Sequence, residues 1–398
     1  MTIEKKSLSI YVHIPFCRKR CGYCDFNTYA GMEYLITNYV DAVVKELECF
    51  SNIISKDHIV HTIYFGGGTP TILTEGSYRK IIDSVYHFFQ MAEHIEISSE
   101  ANPENLKISY LKKLRTAGIN RLSIGMQTAI DEELEILGRS QNLNDVKKAV
   151  KNAKEAGISN INLDLIFGIP TQSLDSFKIS VEEAISLAPQ HLSIYGLSLG
   201  ESTQLAKDIR LGLIPDIDDD IAGDMYEWVM DALIDCGFKQ YEISNWAINH
   251  AEIDYRCGHN IQYWENKDYL GIGAGAHSFI EKRRWKNENL IPDYIFEMNN
   301  DDRPFEFGHN AIAECSQLEK IDIIKETMMM GLRLTSEGID LDNFRNRFAV
   351  ELESIYKTQI KKLCSLKLLE YADYQGSKIL RLTKIGRSLG NQVFLEFV

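Results

Sequence analysis

The sequence has no surplus of basic residues: 43 lysines and arginines stand against 57 acidic residues, for a formal charge of -14. Nucleic acids recruit basic proteins, so this balance argues against a nucleic-acid binder. No run reaches the roughly 18 apolar residues that a spanning helix needs, so membrane contact is at most peripheral. The opening stretch, MTIEKKSLSIYVHIPFC, has two lysines but no apolar segment of signal-peptide length. Cysteine is scarce as well, eight in 398 residues, too few for a disulfide scaffold. There is no internal repeat and no low-complexity tract. What these absences leave is a cytoplasmic protein with reduced thiols, and 398 residues are too many for one ordinary core.

The cysteines that are present are not spread evenly. Cys17, Cys21 and Cys24 fall in the stretch CRKRCGYC, with C-x3-C-x2-C spacing, while Cys49, Cys236, Cys257, Cys315 and Cys364 are scattered. A closed zinc site takes four ligands, and the nearby His13 lies within a predicted strand. A [4Fe–4S] cluster normally takes four thiolates. Held by three, it keeps one iron open, and open metal positions are where chemistry happens.

The first half alternates between two patterns. Short β-branched and aromatic runs at 8–14, 61–67, 94–100, 120–126, 160–166 and 191–197 read as strands. Helical periodicity fills 33–50, 76–90, 104–117, 131–138 with 143–156, and 174–187. Strand alternating with helix predicts βαβ units and a parallel sheet. Polar residues and glycines collect where the strands end: the cysteines after the first, Gly66-Gly67-Gly68-Thr69 after the second, then Glu100, Gln127, Asp164 and Tyr195. In a curved parallel α/β sheet that end carries the active site.

The pattern changes near residue 215. A helix is expected at 219–236, then an irregular segment to about 300 that covers the barrel mouth. DDRPFEF (301–307) reads as a linker. The remainder reads as a mostly helical, winged-helix-like domain, with LRLTKIGRSLG (380–390) as strand, turn and helix. The expected architecture is thus a partial (β/α)6 barrel over 1–215, a segment over 216–300 and a C-terminal domain over 301–398.

C-x3-C-x2-C with an aromatic before the last cysteine resembles the signature of radical S-adenosylmethionine (SAM) enzymes. The stretches YVHIPFC, FGGGTPT, SSEANPENL, NRLSIGMQT, LGRSQN, NLDLIFGIPTQ, YEISNWA, HNIQYW and YLGIGAGAHSF resemble, within that superfamily, the group holding oxygen-independent coproporphyrinogen III oxidase and the HemW heme chaperones. The resemblance implies a [4Fe–4S] cluster on Cys17, Cys21 and Cys24, with SAM on the open iron. It implies that Gly67, Gly68 and Thr69 hold the methionine moiety, and that Glu100, Gln127, Arg139 and Asp164 contact the amino group, ribose or carboxylate. Tyr11 and Tyr23 would flank cluster and cofactor.

Phe26 stands where the oxidase has a further cysteine, and His259-Asn260-Ile261-Gln262-Tyr263-Trp264 matches the chaperones' HNxxYW heme motif. Only 16 residues precede the cluster, whereas the oxidase carries a longer segment there. The resemblance therefore favours a heme-binding chaperone that serves respiratory heme proteins. His259 is its expected heme-iron ligand, with Cys257 the less favoured alternative. No C-x-x-C-H occurs, so c-type attachment is not expected. Arg283 and Arg284 could meet heme propionates, and His277 could face substrate or heme. Arg18-Lys19-Arg20 could steer an acidic electron donor. A homodimer is implied by the family alone. The rival reading is an enzyme that oxidatively decarboxylates coproporphyrinogen III, and a third is a zinc-dependent binding protein.

Overall fold

The computed structural model describes residues 5–54, 56–300 and 308–398, so the expected linker DDRPFEF lies outside the described residues. Six strands and the helices between them follow the sequence pattern: β1 (Lys6–Ile14), α1 (Ile36–Ser51), β2 (His58–Gly67), α2 (Glu75–Phe88), β3 (Met91–Ala101), α3 (Ile108–Ala117), β4 (Arg121–Gln127), α4 (Asp131–Ile136), α5 (Leu143–Glu155), β5 (Asn160–Phe167), α6 (Leu174–Ser186) and β6 (His191–Gly196). Local chemistry sets the helix starts. The Asn142 side chain accepts from Asp145 N and Asp145 answers to Asn142 N, a capping box that opens α5; Ser173 and Ser176 do the same for α6.

β1 to β6 pair in chain order, all parallel. Every residue of β4 is buried, which is what a central strand covered on both faces requires. On α1 the stripe Tyr39, Val43, Leu47 and Phe50 is fully buried. Each such side chain contributes roughly 1.5–3 kcal/mol.

The chain divides by contacts into two units, Met1–Ala222 with Asp268–Ser316, and Gly223–Lys267 with Gln317–Val398. This differs from the division expected from sequence. Within 216–300 the chain is regular, not irregular. β7 (Tyr269–Ile272) joins β1 in parallel, and β8 (His277–Ile280) and β9 (Arg283–Asn287) follow antiparallel, extending the first unit's sheet. Residues 223–267 belong to the second unit. That unit holds an antiparallel hairpin, Phe238–Glu242 with Asn245–Ile248, and the short helix Gly258–Trp264. It ends in helices Leu341–Phe348 and Leu352–Ser365 and the antiparallel strands Leu369–Tyr374 and Ser377–Leu382. The last strand leads into helix Lys384–Ser388, as the strand-turn-helix reading of 380–390 anticipates.

Candidate functional site

The site is built where β1 and β2 end. Gly68 N donates to Ile14 O (2.9 Å) and Thr69 N to Phe16 O (2.8 Å), which draws the glycine turn against the cysteine loop. A β-carbon on Gly68 would lie 2.6 Å from Phe16 O and 2.9 Å from Cys17 Sγ, so the approach requires glycine. Thr69 Oγ1 donates to Cys17 Sγ (3.7 Å). Gly22 N donates to Leu137 O (3.2 Å) and Arg20 reaches Cys24 O and Phe26 O (3.2 Å each), so the loop is held along its length.

These residues open onto a cavity of about 600 Å³. Cys17, Cys21, Cys24, Tyr23, Gly67, Gly68, Thr69, Glu100, Gln127, Arg139 and Asp164 all line it. Tyr11 does not; it lies behind, stacked on Tyr64 with ring centroids 6.3 Å apart and bonded to His13 Nδ1 (3.0 Å). Gln127 ends β4 with φ 68°, a left-handed conformation that a side chain rarely adopts.

The floor is acidic and buried. Glu100 accepts from Gly67 N (3.1 Å) and Tyr64 OH (3.2 Å). Burial, and then the neighbouring Asp164, push its carboxyl up to about 7. Asp164 is raised too, by burial, although Ser123 (3.0 Å) and Asn162 (2.7 Å) donate to it. Asn162 in turn accepts from Ser193 Oγ (3.1 Å) and lies 2.6 Å from His191 Nδ1. On the wall, Arg139 Nη1 donates to Asn102 (2.8 Å) and Nη2 to Tyr23 OH (2.8 Å). Its Nε is buried with no bonding partner among the described residues.

This donor set fits both expected groups. Burial raises the Cys17 and Cys21 thiols, opposed at Cys17 first by the hydrogen bond from Thr69 and at Cys21 by Arg139, so a metal that binds them would do so with loss of their protons. Among the described residues no three Cys, His, Asp or Glu side chains converge tightly enough for a single metal ion. The three thiols share a wall of a cavity instead. Two buried carboxyls call for a cationic ligand, and the unsatisfied Arg139 Nε calls for an acceptor. SAM brings an ammonium, a sulfonium and a carboxylate.

A buried hub lies elsewhere in the first unit. Glu46 accepts from Gly273 N (2.8 Å), Asn287 Nδ2 (2.6 Å) and Tyr294 OH (2.5 Å) and pairs with His309 Nε2 (3.0 Å). It pins the turn between β7 and β8. Asn27 Nδ2 donates to Ala274 O (3.1 Å) and Asn27 O meets His13 Nε2 (2.9 Å), which ties that turn to the cysteine loop. Sequence reasoning missed Glu46, Asn27, Tyr64, Ser123 and Asn162. Alternation along β2, β4 and β5 carries a signal for the last three, since they share the inward face with Glu100 and Asp164.

His259 belongs to the second unit and is 1% exposed. Its Nε2 is 3.0 Å from Tyr263 OH, one helical turn on, with the rings perpendicular. Tyr241 OH accepts from Cys257 N (3.2 Å) at the helix start. The Arg333 guanidinium lies over Trp264, 4.5 Å from the ring centroid. In the first unit His277 is exposed at the start of β8, and burial followed by Lys286 and Arg284 pushes its imidazole down.

Family models match residues 11–184 (Radical SAM superfamily) and 318–389 (HemN C-terminal domain). The chain is 35% identical to heme chaperone HemW of Bacillus subtilis over 98% of its own length and 99% of that protein's. It is 33% identical to HemW of Lactococcus lactis over 99% and 98%, and 34% identical to HemW of Escherichia coli over 82% and 87%. The solved structure of coproporphyrinogen III oxidase (HemN) from Escherichia coli superposes with a TM-score of 0.82 at 23% identity, covering 99% of this chain and 90% of that one; the likeness is one of fold.

Proposed function

Because the chain belongs to the HemW family of radical SAM heme chaperones, we propose that it binds heme and delivers it to respiratory heme proteins. The observation that carries this reading is the identity to HemW proteins along nearly the whole of both chains. Phe26 at the position of the oxidase's further cysteine, and HNIQYW at 259–264, support it over the decarboxylase reading. Cys17, Cys21 and Cys24 would hold the [4Fe–4S] cluster, and Gly67, Gly68, Thr69, Glu100, Gln127, Arg139 and Asp164 would hold SAM. When bound, cluster and SAM together supply one-electron chemistry.

The chain's own residues divide the work. Glu100 and Asp164 receive the cationic end of the ligand, and Arg139 its acceptor oxygens. Tyr11 braces Tyr64, which fixes Glu100. His259 is the proposed iron ligand for heme, and its bond to Tyr263 must open before its Nε2 can reach iron. Lys19, on the cavity lining, and Arg18 beside it in sequence suit an acidic electron donor. No described helix is long and apolar enough to cross a membrane. Any approach to membrane-bound acceptors is therefore proposed to be peripheral, from the cytoplasm, by a monomer or a homodimer.

Transfer is the direct test. The reconstituted protein, loaded with heme, should convert an apo b-type respiratory cytochrome subunit to its holo spectrum faster than free heme does under a heme scavenger. Transfer no faster than the scavenger allows would refute delivery.

A further inference from the structure

The second unit holds a cavity of its own, of about 550 Å³. It lies among the end of helix Asp219–Asp235, the strands Phe238–Glu242 and Ser377–Leu382, and helix Lys384–Ser388. Met230, Ile234 and Phe238 give it an apolar wall, and Lys239, Arg381 and Arg387 bring three cations to its lining. No carboxylate lines it, in a chain of formal charge -14. The cysteine cavity, by contrast, has Asp25, Glu100 and Asp164 on its lining.

The three cations are not alike. Lys239 is exposed, its Nζ 5.9 Å from the centroid of the Tyr374 ring. Arg381 Nε donates to Glu370 (2.9 Å), so its charge is already matched. Arg387 is half-buried and pairs with no carboxylate among the described residues. Its Nη1 donates to Gln240 Oε1 (3.0 Å), and its Nε is buried with no bonding partner among them. The Gln240 amide is fixed in that orientation, because its Nε2 donates to Tyr226 OH (3.0 Å) and Ile243 O (2.9 Å). A neutral amide thus holds the guanidinium in place and leaves its charge standing. Burial pushes the Arg387 guanidinium below its ordinary range and Arg381 adds to this, against Tyr226 and Glu370. The hydroxyls of Thr335 and Ser336 both donate to Gln240 O (3.1 and 3.4 Å), so the attraction for a ligand comes from the cations. A half-buried charge without a counter-charge costs free energy that a bound anion would offset.

We propose that this cavity binds a small organic monoanion, a single carboxylate on an apolar body, with the carboxylate on Arg387 and the body against Met230, Ile234 and Phe238. One unmatched guanidinium calls for one negative charge, and its planar array of N–H donors suits a carboxylate. An apolar wall with a few convergent polar groups is the ordinary make-up of a small-molecule site. The proposal is independent of the heme-chaperone reading.

The test titrates the full chain with octanoate by calorimetry. Acetate, octanamide and inorganic phosphate serve as comparisons that lack the apolar body, the charge, or both the body and the carboxylate. Octanoate should bind saturably, and each comparison at least about tenfold more weakly. Arg387→Gln should weaken octanoate about tenfold or more. Ile234→Glu, at a position already 63% exposed, sets a carboxylate in the apolar wall and should weaken octanoate too. Circular dichroism and denaturant unfolding confirm that each variant is folded. No saturable octanoate binding to the wild-type chain, octanamide or phosphate binding as tightly as octanoate, or full octanoate affinity in folded Arg387→Gln would overturn the site. Should Arg387→Gln fail to fold, unchanged octanoate affinity in Ile234→Glu would overturn it.

Discussion

The cysteine cavity and the HNIQYW helix are the two places where function is expected, and they are built in opposite ways. In the cavity the side chains are aimed at open space: three thiols, two carboxyls and a guanidinium edge around about 600 Å³. In the helix the key side chain is turned in on itself, with His259 1% exposed and bonded to Tyr263. The first is preorganised for its ligand. The second must break a hydrogen bond before it can bind one. If His259 is the iron ligand, as proposed, that bond competes with the cargo and favours release.

The contrast can be broken most severely at the cysteines. Replacing Cys17, Cys21 and Cys24 by serine should abolish iron–sulfur absorbance and leave hemin binding intact; a variant that loses both would show that the two sites are not separate. Next comes the hub. Glu46→Ala strands His309 and frees the β7–β8 turn, and should cost about 3–5 kcal/mol of stability, read by denaturant unfolding. A loss below 1 kcal/mol would mean the turn is held by other contacts.

The pH dependence of SAM binding sharpens the cavity side. The Glu100 carboxyl sits near 7, above its ordinary value of 4.5. Raised in the fold, it supports stability below about pH 4.5, and that support is lost as pH rises through 7. A cationic ligand reverses the preference, because it binds the ionised form. SAM affinity measured by calorimetry should rise roughly tenfold between pH 6 and 8, and Glu100→Gln should flatten the profile. The smallest effect is expected on the helix side. Tyr263→Phe removes the bond that holds His259 and should tighten hemin binding about two- to tenfold. Weaker binding would instead make Tyr263 part of the heme contact.

Legibility in the sequence follows the range of the forces involved. The strands and helices of the first 196 residues were readable because alternation, helical stripes and caps such as Asn142–Asp145 are local. The lining of the cavity was readable where residues sit at strand ends, as Gly67 and Glu100 do. Arg139 comes from the loop between α4 and α5 and was reachable only by resemblance to a family. Tyr11 was given a place at the cavity and lies behind it, because the register that stacks it on Tyr64 is set by pairing across strands. The i,i+4 spacing of His259 and Tyr263 was visible, yet burial of that helix is a tertiary outcome. The domain division was missed for the same reason. Residues 223–267 group with 317–398, and nothing local in either segment announces it.

The most direct test of the central claim sets two activities side by side on one anaerobically reconstituted sample. Hemin is titrated and followed by absorbance; a second aliquot receives SAM, a reductant and coproporphyrinogen III and is examined for protoporphyrinogen IX. Saturable hemin binding without decarboxylation is the predicted result. Robust decarboxylation without saturable hemin binding would make the protein an oxidase and contradict the account.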